Sequence, residues 1–374
     1  VELLKIECLG KQLRLEGSMA GWQQLFWDGQ LVSQQVASAD LGAVRVHQFE
    51  LQFEQQGEAP VETAANQQPH QIQVRLETEL NWQPFLLRYR LFVNDEPQLD
   101  GERHTKDIEQ QTPEIAPVNT SKMSLVGLAS LGFKLLKSAK VIKVVLAGAS
   151  MAAYSWLFSV QFALALLACL VFHEYGHIRA MKYFGMKTKG IYLIPFLGGL
   201  ALSDEKINTR WQDVVISIMG PTFGLLLSLV CLVAYWITGN IFFAGLATFN
   251  ALLNLFNLLP ILPLDGGHIL KSISFSMNSV AGLVACVIGA AVGVYVSYSF
   301  GLALLGFLLL IGSLEIVFEW RGRHQSHLLP LDRYGQLFST VWYLLTVGSL
   351  VAIIWYFASS GDDMLSLPLK ILQS

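Results

Sequence analysis

Residues 161–178 read QFALALLACLVFHEYGHI, an apolar run of helical length that ends in His173, Glu174 and His177. On a helix, positions four apart project from one face, so both imidazoles can reach one Zn²⁺ while Glu174 addresses water at the metal. Two histidines and a glutamate in an apolar helix are expensive to bury without partners. This stretch therefore predicts a metal-binding helix inside a membrane, and the rest of the chain is read around it.

The surroundings agree. Of 374 residues, 53% are hydrophobic and 14% charged, with a mean hydropathy of +0.46. Soluble domains carry about a quarter charged residues, so an ordinary soluble protein is excluded. The net charge of -3 hides an asymmetry: residues 1–120 hold 9 Lys/Arg against 18 Asp/Glu, and residues 121–374 hold 16 against 10. The first third is acidic and Gln-rich; the remainder is apolar, with basic clusters between hydrophobic runs, as a lipid bilayer requires. Nothing in this balance points to nucleic acid as a partner. Cys8, Cys169, Cys231 and Cys286 form no CxxC pair and read as small hydrophobes. The N-terminus lacks a basic stretch followed by an apolar core, so no cleaved secretory signal is expected.

In the polar third, Phe49-Glu-Leu-Gln-Phe53, Ile72-Gln-Val-Arg-Leu76 and Phe85-Leu-Leu-Arg-Tyr89 alternate with the period of half-buried strands. Asp28-Gly29 between two apolar runs is a hairpin signal. Apolar positions are even at Val44 and Val46 but odd at Phe49, Leu51 and Phe53, which predicts a bulge or register change near His47. The fold expected is a β-sandwich-like domain over 1–100, whose own partner is unknown, followed by a linker over 101–121 in a polar run that begins at Asn94. A basic amphipathic segment over 122–143 carries Lys134, Lys137, Lys140 and Lys143 and suits a headgroup surface. A membrane core over 144–275 that holds the metal-binding helix and further spans over 276–374 complete the chain.

Residues 140–185 are too long for one crossing and predict two helices joined near Ser159–Gln161. With spans near 211–237, 241–259, 279–298, 302–320 and 337–357, the polytopic α-helical body has about seven crossings. Arg179, Lys182, Lys187 and Lys189, then Lys206 and Arg210, then Arg321, Arg323 and Arg333 place their loops in the cytoplasm. Counting back puts the β-domain on the same side, in a bacterial inner (cell) membrane.

A tetrahedral catalytic zinc site usually takes a third protein ligand and leaves a position for water. Asp265 is the only acidic residue between Asp213 and Glu315, and it stands at a Pro/Gly turn on the same predicted side as the histidines. It is the expected third ligand. His268 could support it or cap a helix, and His324 and His327 read as solvated. His173-Glu-Tyr-Gly-His177, Gly220-Pro221 and Asn257…Pro260…Leu264-Asp265-Gly266 together resemble the site-2 protease family of intramembrane zinc metalloproteases, of the peptidase M50 kind, over roughly residues 140–275. The resemblance implies one Zn²⁺ held by His173, His177 and Asp265, with Glu174 as catalytic base. Many members carry an Asn a few residues after the Gly-Pro, where this chain has Gly224. No PDZ-like insertion is visible between Gly190 and Trp211.

Hydrolysis of a transmembrane protein substrate requires local unwinding of its helix, so the enzyme should offer a strand edge for pairing. Residues 191–201 (IYLIPFLGGLA) are apolar, too short to cross, and broken by Pro195, Gly198 and Gly199; they predict a re-entrant hairpin that binds substrate, or else an interfacial loop. Asn257 either stabilises the oxyanion as a catalytic group or packs its helix, and Asn250, Asn254 and Asn257 share a face that could line a water path. The leading function is an intramembrane zinc endopeptidase acting in regulated proteolysis or clearance of membrane remnants. The alternative is a membrane assembly or scaffold protein that keeps the metal site with little peptidase activity. A transporter fits the spans but not the paired motifs.

Overall fold

A computed structural model describes residues 1–19, 21–36, 44–53, 70–111, 146–152, 159–194, 198–203, 206–260, 262–277 and 328–359, with a few isolated positions besides. The chain forms two compact units, one around residues 1–111 with the segment before Tyr334, the other around the apolar helices.

In the first unit, β1 (Glu2–Cys8), β2 (Lys11–Gly17), β3 (Gln23–Trp27) and β4 (Gln30–Gln35) form one antiparallel sheet in chain order. β5 (Arg45–Phe53), β6 (His70–Trp82), β7 (Phe85–Val93) and β8 (Glu96–His104) form a second. The Asp28-Gly29 turn has φ of 49° and 80°, the two positive values that a tight two-residue hairpin demands. Alternate residues turn inward: Leu3, Leu13 and Leu25 from one sheet and Val74, Leu76 and Leu87 from the other join a single buried cluster. Ile108 of the short helix α1 (Thr105–Glu109) and the distant Leu329 complete it.

Two expectations are corrected here. β5 pairs with β6 in unbroken register from Arg45 to Phe53, so there is no bulge at His47. The alternation instead turns two polar residues inward: Arg45 and His47 are buried while Val44 and Val46 are exposed. His47 is tolerated because Nδ1 meets Ser33 Oγ at 3.0 Å and Nε2 meets Gln23 Oε1 at 3.1 Å, and hydrogen-bond composition is invisible to a hydrophobic pattern. The second concerns the polar run from Asn94, part of which is strand β8 and helix α1. An edge strand is held by main-chain bonds to its neighbour and needs little apolar surface; Arg88 adds an ion pair to Glu102 at 2.8 Å. The Lys134–Lys143 stripe and the rest of the expected linker lie outside the described residues.

In the second unit, residues 146–152 are helical, and α2 (Val160–Tyr183) starts at Ser159, whose Oγ accepts from the Phe162 N–H at 3.2 Å. The hairpin β9 (Thr188–Ile194) and β10 (Gly198–Ser203) follows. Next come α3 (Arg210–Thr238), opened by a Thr209/Gln212 capping box and closed by Gly239 at φ 65°, then α4 (Ile241–Asn257), α5 (Asp265–Met277) and α6 (Arg333–Ala358). By length and composition α2, α3 and α6 can cross a membrane, whereas the apolar α4 has 17 residues. The expected spans near 279–298 and 302–320 fall largely outside the described residues. α2 and α3 touch closely because Gly176 has no side chain: a Cβ there would overlap the Met219 carbonyl.

Candidate metal centre

His173, Glu174 and His177 lie on the buried face of α2, at 2%, 4% and 8% exposure. Each histidine is oriented through its Nδ1. His173 Nδ1 stands 2.7 Å from Asn254 Oδ1 on α4, and His177 Nδ1 stands 2.7 Å from the main-chain oxygen of Ile216 on α3. Oxygen acceptors at both Nδ1 positions leave both Nε2 lone pairs free to ligate. Pro221 inside α3 lacks the N–H that would bond the Ser217 carbonyl, next to the Ile216 carbonyl that His177 uses.

The third donor arrives from the far end of the unit. Asp265 is the first residue of α5, and its Oδ2 lies 3.4 Å from His173 Nε2 and 3.5 Å from His177 Nε2. The two Nε2 atoms are 3.1 Å apart. Tetrahedral zinc with ligand bonds of about 2.0–2.1 Å separates its ligand atoms by about 3.3 Å, so these three distances fit one face of such a site. All three donor atoms lie within 4.8 Å of one another, and no other such group of histidine, cysteine or carboxylate side chains occurs among the described residues. The donor set of two imidazoles and one carboxylate is the chemistry of a catalytic rather than a closed structural zinc site.

The ligand loop is tightly held. Gly266 packs where a Cβ would overlap the Leu258 and Leu259 carbonyls, and Tyr343 of α6 donates its hydroxyl to the Leu258 oxygen at 2.6 Å. Asp213 near the start of α3 accepts from Ser272 of α5 at 2.6 Å and faces His268 Nδ1 at 3.5 Å. His268 thus pairs with Asp213, a partner that no motif singled out.

Glu174 Oε1 lies 3.9 Å from His173 Nε2, and the main-chain amide of Ala201 is close enough to favour the charged carboxylate. Ala201 is in β10, opposite Ile191 of β9. β10 pairs with β9 alone among the described strands, so its other edge has no partner strand.

Of the remaining expected residues, Gly198 and Gly199 begin β10 opposite Ile194 and Leu193, while Pro195 lies outside the described residues. Asn257 is half-buried at the last position of α4. Asn250 and Asn254 are fully buried and hydrogen-bonded to protein groups, which replaces the water-path reading for those two. The site of Gly224 is filled by the amide of Asn254. Sequence reasoning did not foresee that Asn254 touches His173; its only visible signal was an amide four residues from another amide on an apolar helix.

Residues 161–240 and 238–304 match the model of Peptidase family M50. The chain is 38% identical over 128 residues to a protein of Synechocystis sp. provisionally named a zinc metalloprotease, an alignment covering 33% of this chain and 34% of that one. It is 32% identical over 182 residues to a zinc metalloprotease of Methanocaldococcus jannaschii, covering 47% and 52%. It is 27% identical over 188 residues to stage IV sporulation protein FB of Bacillus subtilis, covering 46% and 63%. The chain thus spans between a third and two thirds of the length of these relatives.

Proposed function

We propose that this chain, whose residues 161–304 match peptidase family M50 and resemble the site-2 proteases, is an intramembrane zinc endopeptidase that hydrolyses peptide bonds in or near transmembrane segments. The observation that carries the reading is the convergence of His173, His177 and Asp265 beside Glu174. His173 Nε2, His177 Nε2 and Asp265 Oδ2 would hold the ion. Bound zinc supplies Lewis acidity, which makes water nucleophilic near neutral pH and polarises a carbonyl.

The chain's own residues do the rest. A substrate segment pairs its main chain with the β10 edge, which unwinds it and presents a carbonyl beside Glu174. The Glu174 carboxylate takes a proton from the attacking water as the new C–O bond forms. It returns that proton to the amine nitrogen as the C–N bond breaks. Asn257 donates to the oxyanion that develops on the carbonyl. Burial among apolar helices excludes bulk water and strengthens each of these interactions.

About seven crossings, a sandwich-like β unit, and a role in regulated proteolysis or remnant clearance belong to the same proposal. So does a cytoplasmic location of the zinc-side loops and β unit in a bacterial inner membrane. Within the helical unit, Trp211 at the start of α3 meets Phe338 near the start of α6, with ring centroids 5.9 Å apart. Both starts follow basic segments, which supports putting them on the cytoplasmic side.

The test is a pair of measurements on the full chain. Wild type should carry about one zinc; Asp265→Ala should lose it; Glu174→Gln should keep it, lose cleavage and accumulate uncut membrane proteins. Equal processing by wild type and Glu174→Gln would overturn the peptidase and favour a metal-binding scaffold.

A further inference from the structure

Asn254 lies on α4, 81 positions from His173, and no metal-binding motif includes it. The hydrogen bonds around it have a direction that can be followed from one end. The main-chain oxygen of Gly224 can only accept, so Asn250 turns its Nδ2 toward it at 2.8 Å, and the same group reaches Ser228 Oγ at 2.8 Å. Asn250 Oδ1 is left as an acceptor. Asn254 Nδ2 donates to it at 3.1 Å and to the Asn250 main-chain oxygen at 2.8 Å. The other end of the Asn254 amide, Oδ1, consequently faces His173 Nδ1 at 2.7 Å. An amide oxygen only accepts, so Nδ1 carries the proton and Nε2 keeps its lone pair, directed at Asp265 and His177.

We propose that Asn254 is a positioning residue that locks His173 in its metal-binding tautomer, and that Asn250 and the Gly224 carbonyl set the direction of the lock. A second observation points the same way. A Cβ on Gly224 would overlap the Asn254 amide, so the absence of a side chain on α3 is what admits this amide from α4. Asn250, Asn254 and Ser228 are all fully buried, so bulk solvent does not reach them to substitute for a missing partner. Groups that orient a ligating histidine through its far nitrogen typically change metal affinity 10–100-fold when removed. The inference rests on the reading of His173 as a zinc ligand.

The test uses purified full-length protein, zinc content by elemental analysis and competition against a calibrated chelator, with the unfolding midpoint recorded alongside. Asn254→Leu keeps the shape and removes the acceptor; zinc affinity should fall about 10–100-fold. Asn254→Asp keeps an acceptor for Nδ1 but loses the donor to the two Asn250 oxygens, so its zinc affinity should fall less than that of the Leu variant. A cobalt-loaded sample should show a changed absorption band in the Leu variant and a near-native one in the Asp variant. If Asn254→Leu does not accumulate as folded protein, Asn254→Ala is read in the same way. Wild-type affinity in the Leu variant, or equal losses in Leu and Asp variants, would overturn the lock. Absence of zinc from wild type would instead defeat the metal-site reading itself.

Discussion

Replacing Gly220 by alanine sets local and tertiary energetics against each other. In a helix interior, Gly→Ala is ordinarily favourable by about 1 kcal/mol. Position 220 lies in α3, but a Cβ there would stand 2.9 Å from His173 Nε2 and would overlap His177 Nε2 and Cε1, against 3.4–4 Å for ordinary contact. The His177 ring must therefore retreat by roughly an ångström, whereas metal–ligand distances tolerate only about 0.2 Å. Structural zinc sites bind with about 10–16 kcal/mol over four ligands, so losing one ligand costs about 3 kcal/mol, roughly a hundredfold in Kd. Gly220→Ala should accordingly purify zinc-poor or lose zinc to a chelator about a hundred times more readily than wild type. Gly348→Ala in α6, where a Cβ meets nothing within 4 Å, should leave zinc binding unchanged. Wild-type zinc affinity in Gly220→Ala would refute the placement of both imidazole nitrogens against α3, and with it the geometry of the centre.

Two further outcomes concern the β unit. Burial, reinforced by Arg45, lowers the His47 pKa to about 4, from an ordinary value near 6.5. As pH falls below about 6.5 the unfolded chain takes up a proton that the folded unit refuses. Stability should fall by about 3 kcal/mol between pH 6.5 and 4 and level off below, the whole shift being present only at the acid end. Hydrogen exchange of the β5 and β6 amides, corrected for intrinsic rates, should show this slope in wild type and a shallower one in His47→Gln; identical slopes would refute it. For membrane sidedness Cys8 is a poor reporter, being 3% exposed. An added cysteine at the exposed Gln98 should react with an impermeant thiol reagent in inverted vesicles and resist it in intact cells; the opposite pattern would place the β unit outside.

The covalent sequence was enough to announce the metal centre. His173 and His177 are neighbours on any helix because of its period, and Asp265 was conspicuous as a lone carboxylate in about a hundred residues of apolar sequence. Helix limits were legible for similar reasons: Ser159, Thr209, Asn240 and Gly239 are cap residues at the ends of apolar runs. A break in the apolar run at Pro195, Gly198 and Gly199 made the β9–β10 hairpin legible, but not the nearness of its Ala201 amide to Glu174.

Contacts between distant segments had no such local signature. A linear reading notes Asn254 and Gly224 only separately, and the approach of α3 and α4 alone reveals that one fills the space the other leaves. The inward turn of His47 and the strand formed by Glu96–His104 were misread because both depend on partners supplied by other strands. Periodicity along one chain segment encodes which face is buried; it carries no information about which polar group waits on the other side. The sequence by itself determined a long apolar helix with two histidines and a glutamate on one face, and the tertiary structure decided how each of these side chains is aimed, because aiming requires hydrogen bonds from residues far away in the chain.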